Sequence, residues 1–456
     1  MFVRTVWNAR LTRIALSLAA LIACSQSPAW AQNGGGFGRF SAVGGIAINA
    51  DGVVRNMSVD EAGKLRQLRH ESLQPVGGDI KQWSDLRMVS LRGLEAALAE
   101  SKDDPTKRSD EINCLAGLQR VRYVFVNPEN NDIILAGPAE GWKLDKQNNI
   151  VGQTTGRPVV MLDDLLVALR SSTAAAQGGL TCSIDPTDDG IQRLQQFVRT
   201  QTQFTPEVVS NIERELGMQT ITIQGVPLTS RFASVMLAAD YRMKRLAMAF
   251  DKSPIPGLPS YMNMVSGGNA GVQNIMPRWW LATNYESLLR DPEGLAWEIR
   301  GQGVQCMTED EVIADGGARN QTGKTSPAAK RWADTMTAKY DELAGKDPIF
   351  GDLRNIMDLA VVAALISREN LTAKAAVELP LLTGDESSIL SAEYAVPKQV
   401  PSISKALKKG RHWIISASGG VEIASWQVAE KQEEDASLAD VRQKVATTES
   451  ANWWWD

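Results

Sequence analysis

Histidine is scarce in this sequence: its 456 residues include two, His70 and His412. A metal centre built from several histidines is therefore excluded, and a Ser-His-Asp or Cys-His catalytic group would have to use one of these two. Both lie in charged stretches, which is typical of solvated surface positions. The sequence accordingly predicts no metal site and no bound cofactor, and it carries no recognisable catalytic motif.

Cysteine is equally sparse, with four residues in all. Cys24 lies near the start of the chain, and the other three, Cys114, Cys182 and Cys306, are too far apart in sequence for a zinc knuckle or a redox Cys-x-x-Cys motif. Each of the three has apolar neighbours, which favours buried free thiols. A single disulfide between two of them is the alternative in an oxidising compartment.

Long apolar runs and an excess of basic residues are also missing. After residue 31 no apolar run approaches the roughly 18 residues of a membrane-spanning helix. The chain holds 48 basic and 53 acidic side chains, a net charge of −5. Nucleic acids attract a basic footprint, so the sequence predicts no nucleic-acid partner and no transmembrane helix.

The first 31 residues have the organisation of a secretory signal peptide. Three arginines precede an apolar run at residues 14–23, and a small-x-small site follows at residues 29–31. The run is too short to cross a bilayer of about 30 Å as a helix. This predicts export to the periplasm or the extracellular space. The alternative is a lipobox at residues 21–24, in which a lipid anchor on Cys24 holds the protein at a membrane.

Short β-rich runs alternate with amphipathic helical patterns from Gly45 onwards. They predict a mixed α/β to α+β fold, in which hairpins and βα units form one or two sheets flanked by helices, and a hairpin closes a helical C-terminal region. Composition divides the chain into a signal peptide (1–31), a Gly-rich linker (32–45), an N-terminal α/β domain (46–200), a second α/β region (201–315) with a long loop (251–278), a linker (316–327), a helical region plus hairpin (328–429) and a charged tail ending in Trp-Trp-Trp-Asp (430–456).

Two helices have clear start signals. Thr205 and Pro206 predict the cap and first turn of one helix, and Gly217 predicts its end. Asp163 or Asp164 is placed to cap another.

Two pairs of strands have clear turn signals. Residues 291–294, Asp-Pro-Glu-Gly, predict a turn between strands at residues 279–289 and 295–308. The glycines at 419 and 420 predict the turn of the C-terminal hairpin.

Several segments together resemble a family of secreted planctomycete-type bacterial proteins that carry a domain of unknown function. These segments are RVRYVFVNP and AGPAEGW between Arg120 and Trp142, CSIDPT from Cys182, the Met- and Arg-rich helix after Ser230, DLAVVAALI from Asp358 and ISASGGV from Ile415. The resemblance extends from about Gly44 to Trp426. It implies export and a shared fold, and it supplies no activity and no catalytic residues.

Aspartates near predicted strand ends and helix starts are the candidates for catalysis. Glycoside hydrolysis needs two carboxylates at a suitable separation and no histidine, and the ends of strands are where α/β sheets present ligand sites. The alternative is that these residues stabilise helix N-termini without any chemistry. The candidates are Asp163, Asp164, Asp185, Asp188 and Asp189.

Tryptophans provide the candidates for partner binding. Trp279 and Trp280 follow the long loop after a Met-rich helix, a composition that adaptable binding surfaces use. A core helix with a solvated face has the same pattern, and this is the favoured interpretation. The tail carries Trp453, Trp454 and Trp455, which are costly to expose and are expected to dock on this protein, on a neighbour or on a polysaccharide. A frayed terminus is the alternative.

These observations predict an exported, non-catalytic protein that binds or organises components of the bacterial envelope, with an envelope protein or a polysaccharide as its partner. A secreted, carbohydrate-active hydrolase that uses paired carboxylates is the alternative function. Convergence of the aspartates in one cavity would favour the hydrolase, whereas helix capping by all of them would disfavour it.

Overall fold

A computed structural model describes most of the chain between residues 43 and 455. The signal segment, Cys24 and Trp453 lie outside the described residues. Backbone contacts group Met1–Gly35 in one unit and Gly36–Asp456 in another. The described ranges are 43–73, 76–102, 108–201, 205–266, 277–313, 319–321, 325–385, 389, 393–405, 407–409, 412–414, 418–446 and 454–455.

Helices account for much of the described chain. In order they are α1 (Val59–Ser72), α2 (Leu91–Glu100), α3 (Asp110–Asn113), α4 (Leu162–Arg170), α5 (Ser172–Gly178), α6 (Asp188–Thr200), α7 (Pro206–Leu216), α8 (Arg231–Ala247), α9 (Tyr261–Ser266), α10 (Pro327–Ala338), α11 (Tyr340–Ala344), α12 (Pro348–Arg368), α13 (Leu371–Ala375), α14 (Pro380–Thr383), α15 (Ser425–Glu430) and α16 (Ser437–Ala446).

Strands alternate with these helices along the chain. They are β1 (Ile46–Ile48), β2 (Val54–Asn56), β3 (Ser84–Ser90), β4 (Tyr123–Asn127), β5 (Asp132–Ala139), β6 (Trp142–Leu144), β7 (Ile150–Gly152), β8 (Leu180–Pro186), β9 (Met218–Gln224), β10 (Pro277–Asn284), β11 (Leu288–Arg290), β12 (Ala296–Glu298), β13 (Gly303–Ile313), β14 (Arg319–Gln321), β15 (Gln399–Pro401), β16 (Leu407–Lys409), β17 (His412–Ile414), β18 (Ser418–Ile423) and β19 (Gln432–Glu434).

Two larger sheets organise the fold. The first has seven strands in the order β14-β13-β10-β18-β8-β9-β15, and the second has six in the order β19-β11-β12-β4-β5-β3. Neighbouring strands are antiparallel except for two parallel pairs, β10 with β18 and β11 with β19. Three two-stranded hairpins, β1-β2, β6-β7 and β16-β17, complete the set. Sheets flanked by helices confirm the predicted α/β to α+β class.

Helix α12 forms the centre of the core. Its residues from Ile349 to Ile366 are all buried, and it packs against α4, α8 and α15. On its other side, α8 packs against strands β8 and β18 of the seven-stranded sheet. The largest buried cluster extends from Val43 to Ala429, so apolar side chains from all three predicted domains contribute to it.

Local signals predicted the capping residues of one helix correctly and the capping residue of another helix incorrectly. Thr205 accepts a hydrogen bond from the first turn of α7, Pro206 takes the first position, and Gly217 follows the helix with φ of 72°, as predicted. In α4, however, the capping position belongs to Met161, which makes no side-chain capping bond. Asp164 lies inside that helix because its carboxylate binds Arg231 in the core.

The strands predicted around the turn at residues 291–294 each divide into two. The turn joins β11 to β12 as expected, but both of these belong to the six-stranded sheet, whereas the flanking β10 and β13 pair with each other in the seven-stranded sheet. The chain changes sheets at residues 285–287 and 299–302. Gly301 and Gly303, with φ of 102° and 91°, supply backbone conformations that other residues rarely adopt.

The predicted turn at Gly419 and Gly420 is wrong, because both residues lie within β18 in the middle of the seven-stranded sheet. Glycine is needed here for close packing of strands. A Cβ atom on Gly420 would lie 2.0 Å from the carbonyl oxygen of Cys182, and one on Gly419 would lie 1.5 Å from that of Trp279.

Three predicted non-regular segments contain secondary structure. Helix α9 forms within the predicted loop at 251–278, and strand β14 forms within the predicted linker at 316–327. Strand β19 and helix α16 form within the charged tail. In the described part of the chain, no helix combines the length and apolar character needed to cross a membrane.

Candidate functional site

An arginine-lined cleft lies where the chain crosses between the two large sheets. The cavity measures about 380 Å³ and takes its walls from the start of β4, the two sheet-crossing segments, α11 and α12. Three acidic residues, Glu286, Glu298 and Asp341, also line it. Its five arginines are Arg120, Arg122, Arg157, Arg300 and Arg354.

A buried hydrogen-bonded group holds one wall of this arginine cleft. Arg120 donates from Nε to Oδ2 of Asp358 at 2.9 Å and from Nη2 to the carbonyl oxygen of Gly301 at 2.9 Å. Tyr285 donates its hydroxyl to Oδ1 of the same carboxylate at 2.7 Å. Asp358 has no exposed side-chain surface, so these donors replace the water that it would otherwise bind.

The charge states in this group are reinforced by their neighbours. Burial disfavours the charged form of Arg120, but the carboxylate of Asp358 and the nearby Tyr285 outweigh burial and raise the pKa of the guanidinium. Burial, and then the charge of Asp358, raise the pKa of Tyr285 well above its ordinary value. Arg120 therefore stays charged and Tyr285 stays a donor.

The carboxylate of Asp341 binds two of the arginines that line the cleft. It accepts a hydrogen bond of 2.7 Å from Nη1 of Arg354, and Nη2 of Arg157 lies 3.9 Å from its other oxygen. Burial acts to raise the pKa of Asp341, but the hydrogen bond and the arginine charges outweigh it and lower the pKa. The Asp341 side chain is 64% exposed, whereas that of Arg354 is 3% exposed.

Two arginines of the cleft have donors that remain available. The Nε atoms of Arg300 and Arg354 are buried and find no acceptor among the described residues. The ion pairs at the rim are weak: Arg300 lies 3.5 Å from Glu286, and the pair of Arg122 and Glu298 is partly exposed. Arg300 also donates from Nη2 to the carbonyl oxygen of Ser287 at 3.1 Å. The five arginines of the lining thus outnumber its three acidic residues and the buried Asp358 together, although the protein as a whole is acidic.

This arrangement is suited to binding oxyanions. Guanidinium groups present paired N–H donors in a plane, which match the oxygens of carboxylate, phosphate or sulfate groups. Beside the charged residues, the lining consists of Gln119, Pro138, Ile299 and Gly301, and none of these is a nucleophile. Over the described ranges, no group of three or more His, Cys, Asp or Glu side chains is placed to hold a metal ion.

The first pair of predicted catalytic aspartates lies elsewhere, around the start of α8. Asp164 is buried and binds Arg231, whose Nη2 also donates to Oδ1 of Asp352 at 2.9 Å. Burial raises the pKa of Asp164 to about 7, with Arg231 opposing the shift and Asp352 adding to it. Asp163, half-buried, occupies the same turn of α4. One arginine thus binds the two buried carboxylates, Asp164 and Asp352.

The other predicted aspartates lie at the end of β8 and the start of α6. Asp188 and Asp189 are exposed in the first turn of α6, where they favour the helix N-terminus, and Thr187 is the cap. Asp185 is half-buried and its charge acts on Asp240 of α8. Asp240 lies nine residues after Arg231, about 14 Å along the helix axis. The two groups of aspartates therefore approach α8 at different points.

A second buried ion pair on α8 links this helix to the seven-stranded sheet. Lys244 donates to Asp240 at 2.9 Å and to the carbonyl oxygen of Ile184 in β8 at 3.1 Å. Burial raises the pKa of Asp240 to about 6, against the charge of Lys244. The pair connects the helix to the middle of the seven-stranded sheet.

The two tryptophans predicted to bind a partner after the long loop, Trp279 and Trp280, lie on opposite faces of one strand. Trp279 is fully buried in β10 and packs edge-to-face against Tyr261 at 4.8 Å and Trp332 at 4.9 Å between ring centroids. Trp280 is half-buried on the opposite face of the strand, and the guanidinium of Arg278 lies 5.6 Å from its ring centroid.

Two of the tail tryptophans, Trp454 and Trp455, dock on this protein. The carbonyl oxygen of Trp454 accepts a hydrogen bond of 2.8 Å from the backbone N–H of Ser90, and Trp455 pairs with Val89 of β3. The guanidinium of Arg87 lies 5.3 Å from the centroid of the Trp455 ring. Because β3 is an edge strand, the tail covers backbone groups that would otherwise be open at that edge.

The three cysteines within the described residues, Cys114, Cys182 and Cys306, are free and buried, which confirms the interpretation of these three as buried thiols. Burial raises the pKa of Cys114, Cys182 and Cys306, so these thiols stay protonated and unreactive.

Sequence reasoning missed the arginine cleft, although one signal for it was present. Helix α12 is apolar along most of its length, yet it includes Asp352, Arg354 and Asp358. Charged residues within a buried helix require partners from other elements. Such residues in an apolar pattern are therefore candidates for a polar site.

Comparison with known proteins identifies one segment of the chain. No curated protein and no solved structure matches the chain. A family model described as "Protein of unknown function (DUF1598)" matches residues 182–261. This segment runs from β8 to the start of α9 and includes α8 with the buried pair of Asp240 and Lys244. The carboxylate partners of Arg231 and the residues that line the arginine cleft lie outside it. The chain thus contains a DUF1598 domain of unknown function at residues 182–261.

Proposed function

We propose that this protein is an exported, non-catalytic binding protein of the bacterial envelope, and that its arginine cleft holds an anionic group of an envelope component. The observation that carries the proposal is the convergence of five arginines on one cavity. Two of them, Arg300 and Arg354, keep an unpaired buried N–H. An oxyanion would supply the missing acceptors and balance the excess charge.

The arginines of the cleft have two different roles: one is fixed in the wall, and others are available to bind a ligand. Hydrogen bonds to Asp358 and to the carbonyl oxygen of Gly301 hold the Arg120 guanidinium in place, so its positive charge has a fixed position in the wall of the cleft. Arg157 and Arg300 are partly exposed, and their contacts with acidic partners are long, at 3.9 Å and 3.5 Å. Arg300 is also oriented by a hydrogen bond of 3.1 Å to the carbonyl oxygen of Ser287, a neutral acceptor that leaves its charge in place. The long contacts with carboxylates are easily exchanged for a ligand. The exposed carboxylate of Asp341 is the group that an incoming anion would replace.

A binding role fits the lining better than a catalytic one. Hydrolysis by paired carboxylates needs one acid that is protonated and one that is free to act on water or substrate. In the cleft, Asp341, Glu298 and Glu286 each lie within 4 Å of an arginine, and the hydrogen bond from Arg354 and the arginine charges lower the pKa of Asp341 against the effect of burial. The predicted catalytic aspartates lie outside the cleft lining.

Export follows from the N-terminal sequence pattern in this proposal. Residues 1–31 direct the chain out of the cytoplasm, and the partner is an envelope protein or polysaccharide that carries carboxylate, phosphate or sulfate groups. The alternative of a lipid anchor on Cys24 places the same cleft at a membrane surface. Mass spectrometry of the protein from its native cells distinguishes cleavage after Ala31 from lipidation of Cys24.

Calorimetry with simple anions tests the cleft. Inorganic phosphate, sulfate and glucuronate are titrated into the purified protein, and we expect at least one to bind. The double variant Arg157→Gln, Arg300→Gln should weaken that binding at least tenfold. Arg214→Gln, which removes an arginine with a 70% exposed side chain on α7, is the matched control. Absence of anion binding, or equal binding by the double variant, contradicts the proposal.

A further inference from the structure

A second, larger cavity lies between α1 and the β6-β7 hairpin, apart from the arginine cleft. Its volume is about 840 Å³, within the range of small-molecule binding sites. Basic side chains line one part of it and apolar side chains line another. The basic residues are Arg66, His70, Lys81, Lys143 and Lys146, and the apolar residues are Leu73, Val76, Trp142 and Leu144.

The lining of this basic-apolar cavity carries one negative charge, that of Asp145, against four positive charges from Arg66, Lys81, Lys143 and Lys146. Asp145 is the acidic residue of the lining, and it already accepts hydrogen bonds from the backbone N–H groups of Gln147 and Asn149 at 2.7 and 2.8 Å. It also accepts one from the Asn149 side-chain amide at 2.9 Å. These bonds hold the turn of the hairpin.

Neutral acceptors orient two of the basic side chains. Arg66 donates from Nε to the amide oxygen of Asn148 at 3.0 Å, and Lys143 donates to the carbonyl oxygen of Gln153 at 2.6 Å. Amide oxygens position a cation without cancelling its charge. The rim therefore presents oriented positive groups to an anion.

The apolar wall has one unsatisfied polar atom. Trp142 is 2% exposed, and its indole Nε1 is buried without an acceptor among the described residues. Buried indole N–H groups normally have a partner. The apolar part of a ligand would pack along Leu73, Val76 and Leu144, which are half-buried and so present surface to the cavity.

We infer that this cavity binds an amphiphilic anion, a molecule with one carboxylate or phosphate head and an acyl or similarly apolar body. The head would lie among Lys81, Lys143 and Lys146, and the body would lie along Leu73, Val76 and Leu144. A free fatty acid and an anionic lipid headgroup share this chemistry. The inference rests on residues separate from those of the arginine cleft.

Calorimetry with four probes tests the inference on the purified full chain. The probes are dodecanoate, dodecyl phosphate, dodecanol and inorganic phosphate. We expect both dodecyl anions to bind and the neutral alcohol and the bare anion to bind at least tenfold more weakly, since neither fills both parts of the cavity. Equal affinity for dodecanol and dodecanoate overturns the inference, as does absence of binding by both dodecyl anions.

Charge reversal tests the location. Lys81 and Lys143 are exposed, so the double variant Lys81→Glu, Lys143→Glu is expected to fold and to weaken dodecanoate binding at least tenfold. Lys431→Glu, which reverses an exposed lysine before β19, is the matched control and should bind as the wild type does. Unchanged affinity in the lysine variant places the ligand elsewhere and overturns the inference.

Vesicles distinguish the two sources of the ligand. Cosedimentation with phosphatidylglycerol vesicles that dodecanoate competes away, and that phosphatidylcholine vesicles do not reproduce, supports a lipid headgroup. Binding of dodecanoate in solution without cosedimentation supports a free amphiphile. Cosedimentation that dodecanoate and the lysine substitutions leave unchanged contradicts the assignment to this cavity.

Discussion

Tyr285 donates a hydrogen bond of 2.7 Å to Oδ1 of Asp358, and this bond joins the sheet crossover to the most buried helix of the protein. Arg120 binds the same carboxylate from the start of β4. The three residues come from distant parts of the chain, and together they fix the wall of the arginine cleft.

Tyr285→Phe should destabilise the protein by about 1.5–3 kcal/mol, the range for a hydrogen bond to a charged group. The substitution leaves Oδ1 of Asp358 with a weaker set of donors. Urea unfolding measures the change in the free energy of unfolding. Tyr123→Phe is the control, because its hydroxyl makes a longer bond of 3.3 Å to Glu298, whose side chain is 14% exposed where that of Asp358 is fully buried. Equal effects of the two substitutions would contradict a special role for the buried bond.

Asp341→Asn should strengthen anion binding in the arginine cleft by about tenfold, or about 1.4 kcal/mol. The substitution removes a negative charge that now occupies Arg354 and Arg157. The measurement is the calorimetric affinity for the simple anion that the wild type binds. Asp334→Asn, at a 61% exposed carboxylate paired with Lys330, is the control. Weaker binding after Asp341→Asn would show that this carboxylate organises the site instead of competing for it.

Asp164 should make stability fall as the pH rises from about 4 to about 7. Burial raises its folded-state pKa to about 7, above the ordinary 3.8, so the folded protein holds the proton more tightly than the unfolded chain. The contribution is therefore fully present below about pH 4 and is lost as the pH passes the folded pKa. Urea unfolding from pH 4 to pH 8 should show a flatter profile for Asp164→Asn than for the wild type. Asp189→Asn, in an exposed helix turn, is the control, and a flattening of the same size there would refute the assignment.

Trp455→Ala should destabilise the protein by about 1–2 kcal/mol, because it removes a half-buried ring and its contact with Arg87. Deletion of residues 453–456 should in addition expose the β3 edge and increase self-association. Thermal unfolding and light scattering after size-exclusion chromatography measure the two effects. Trp83→Ala, at an exposed tryptophan, is the control. Unchanged stability in Trp455→Ala would mean that the docked tail contributes nothing to the fold.

Gly420→Ala should destabilise the protein by more than about 3 kcal/mol, since overpacking against backbone leaves no side chain to move aside. Its Cβ atom would lie 2.0 Å from the carbonyl oxygen of Cys182. Gly63→Ala is the matched control: Gly63 lies in α1 with nothing within 4 Å of a Cβ atom, so alanine should stabilise by about 0.5–1 kcal/mol. A mild effect at Gly420 would show that the sheet can widen at this point.

Sequence reasoning succeeded where structure depends on neighbours in the chain. Thr205, Pro206 and Gly217 satisfy the ends of one helix within that helix, so their pattern predicted it correctly. It failed where a residue serves a distant partner. The pair Gly419-Gly420 resembles a turn, but the absence of side chains at these positions allows close contact of β18 with β10 and β8. Asp164 resembles a cap, but its partner is Arg231, 67 positions away.

The sequence by itself determined the class of fold, the capped helices, the buried thiols and the scarcity of histidine that restricts catalysis. These properties depend on composition and on contacts within a few residues. The tertiary structure decided the arginine cleft, the basic-apolar cavity and the docking of the tail. Arg120 and Asp358 are 238 positions apart, and their interaction is strong because folding buries Asp358 and most of the Arg120 side chain and so excludes water. Local pattern carries no information about such a pair, since the low dielectric environment that gives it its strength exists only in the folded protein.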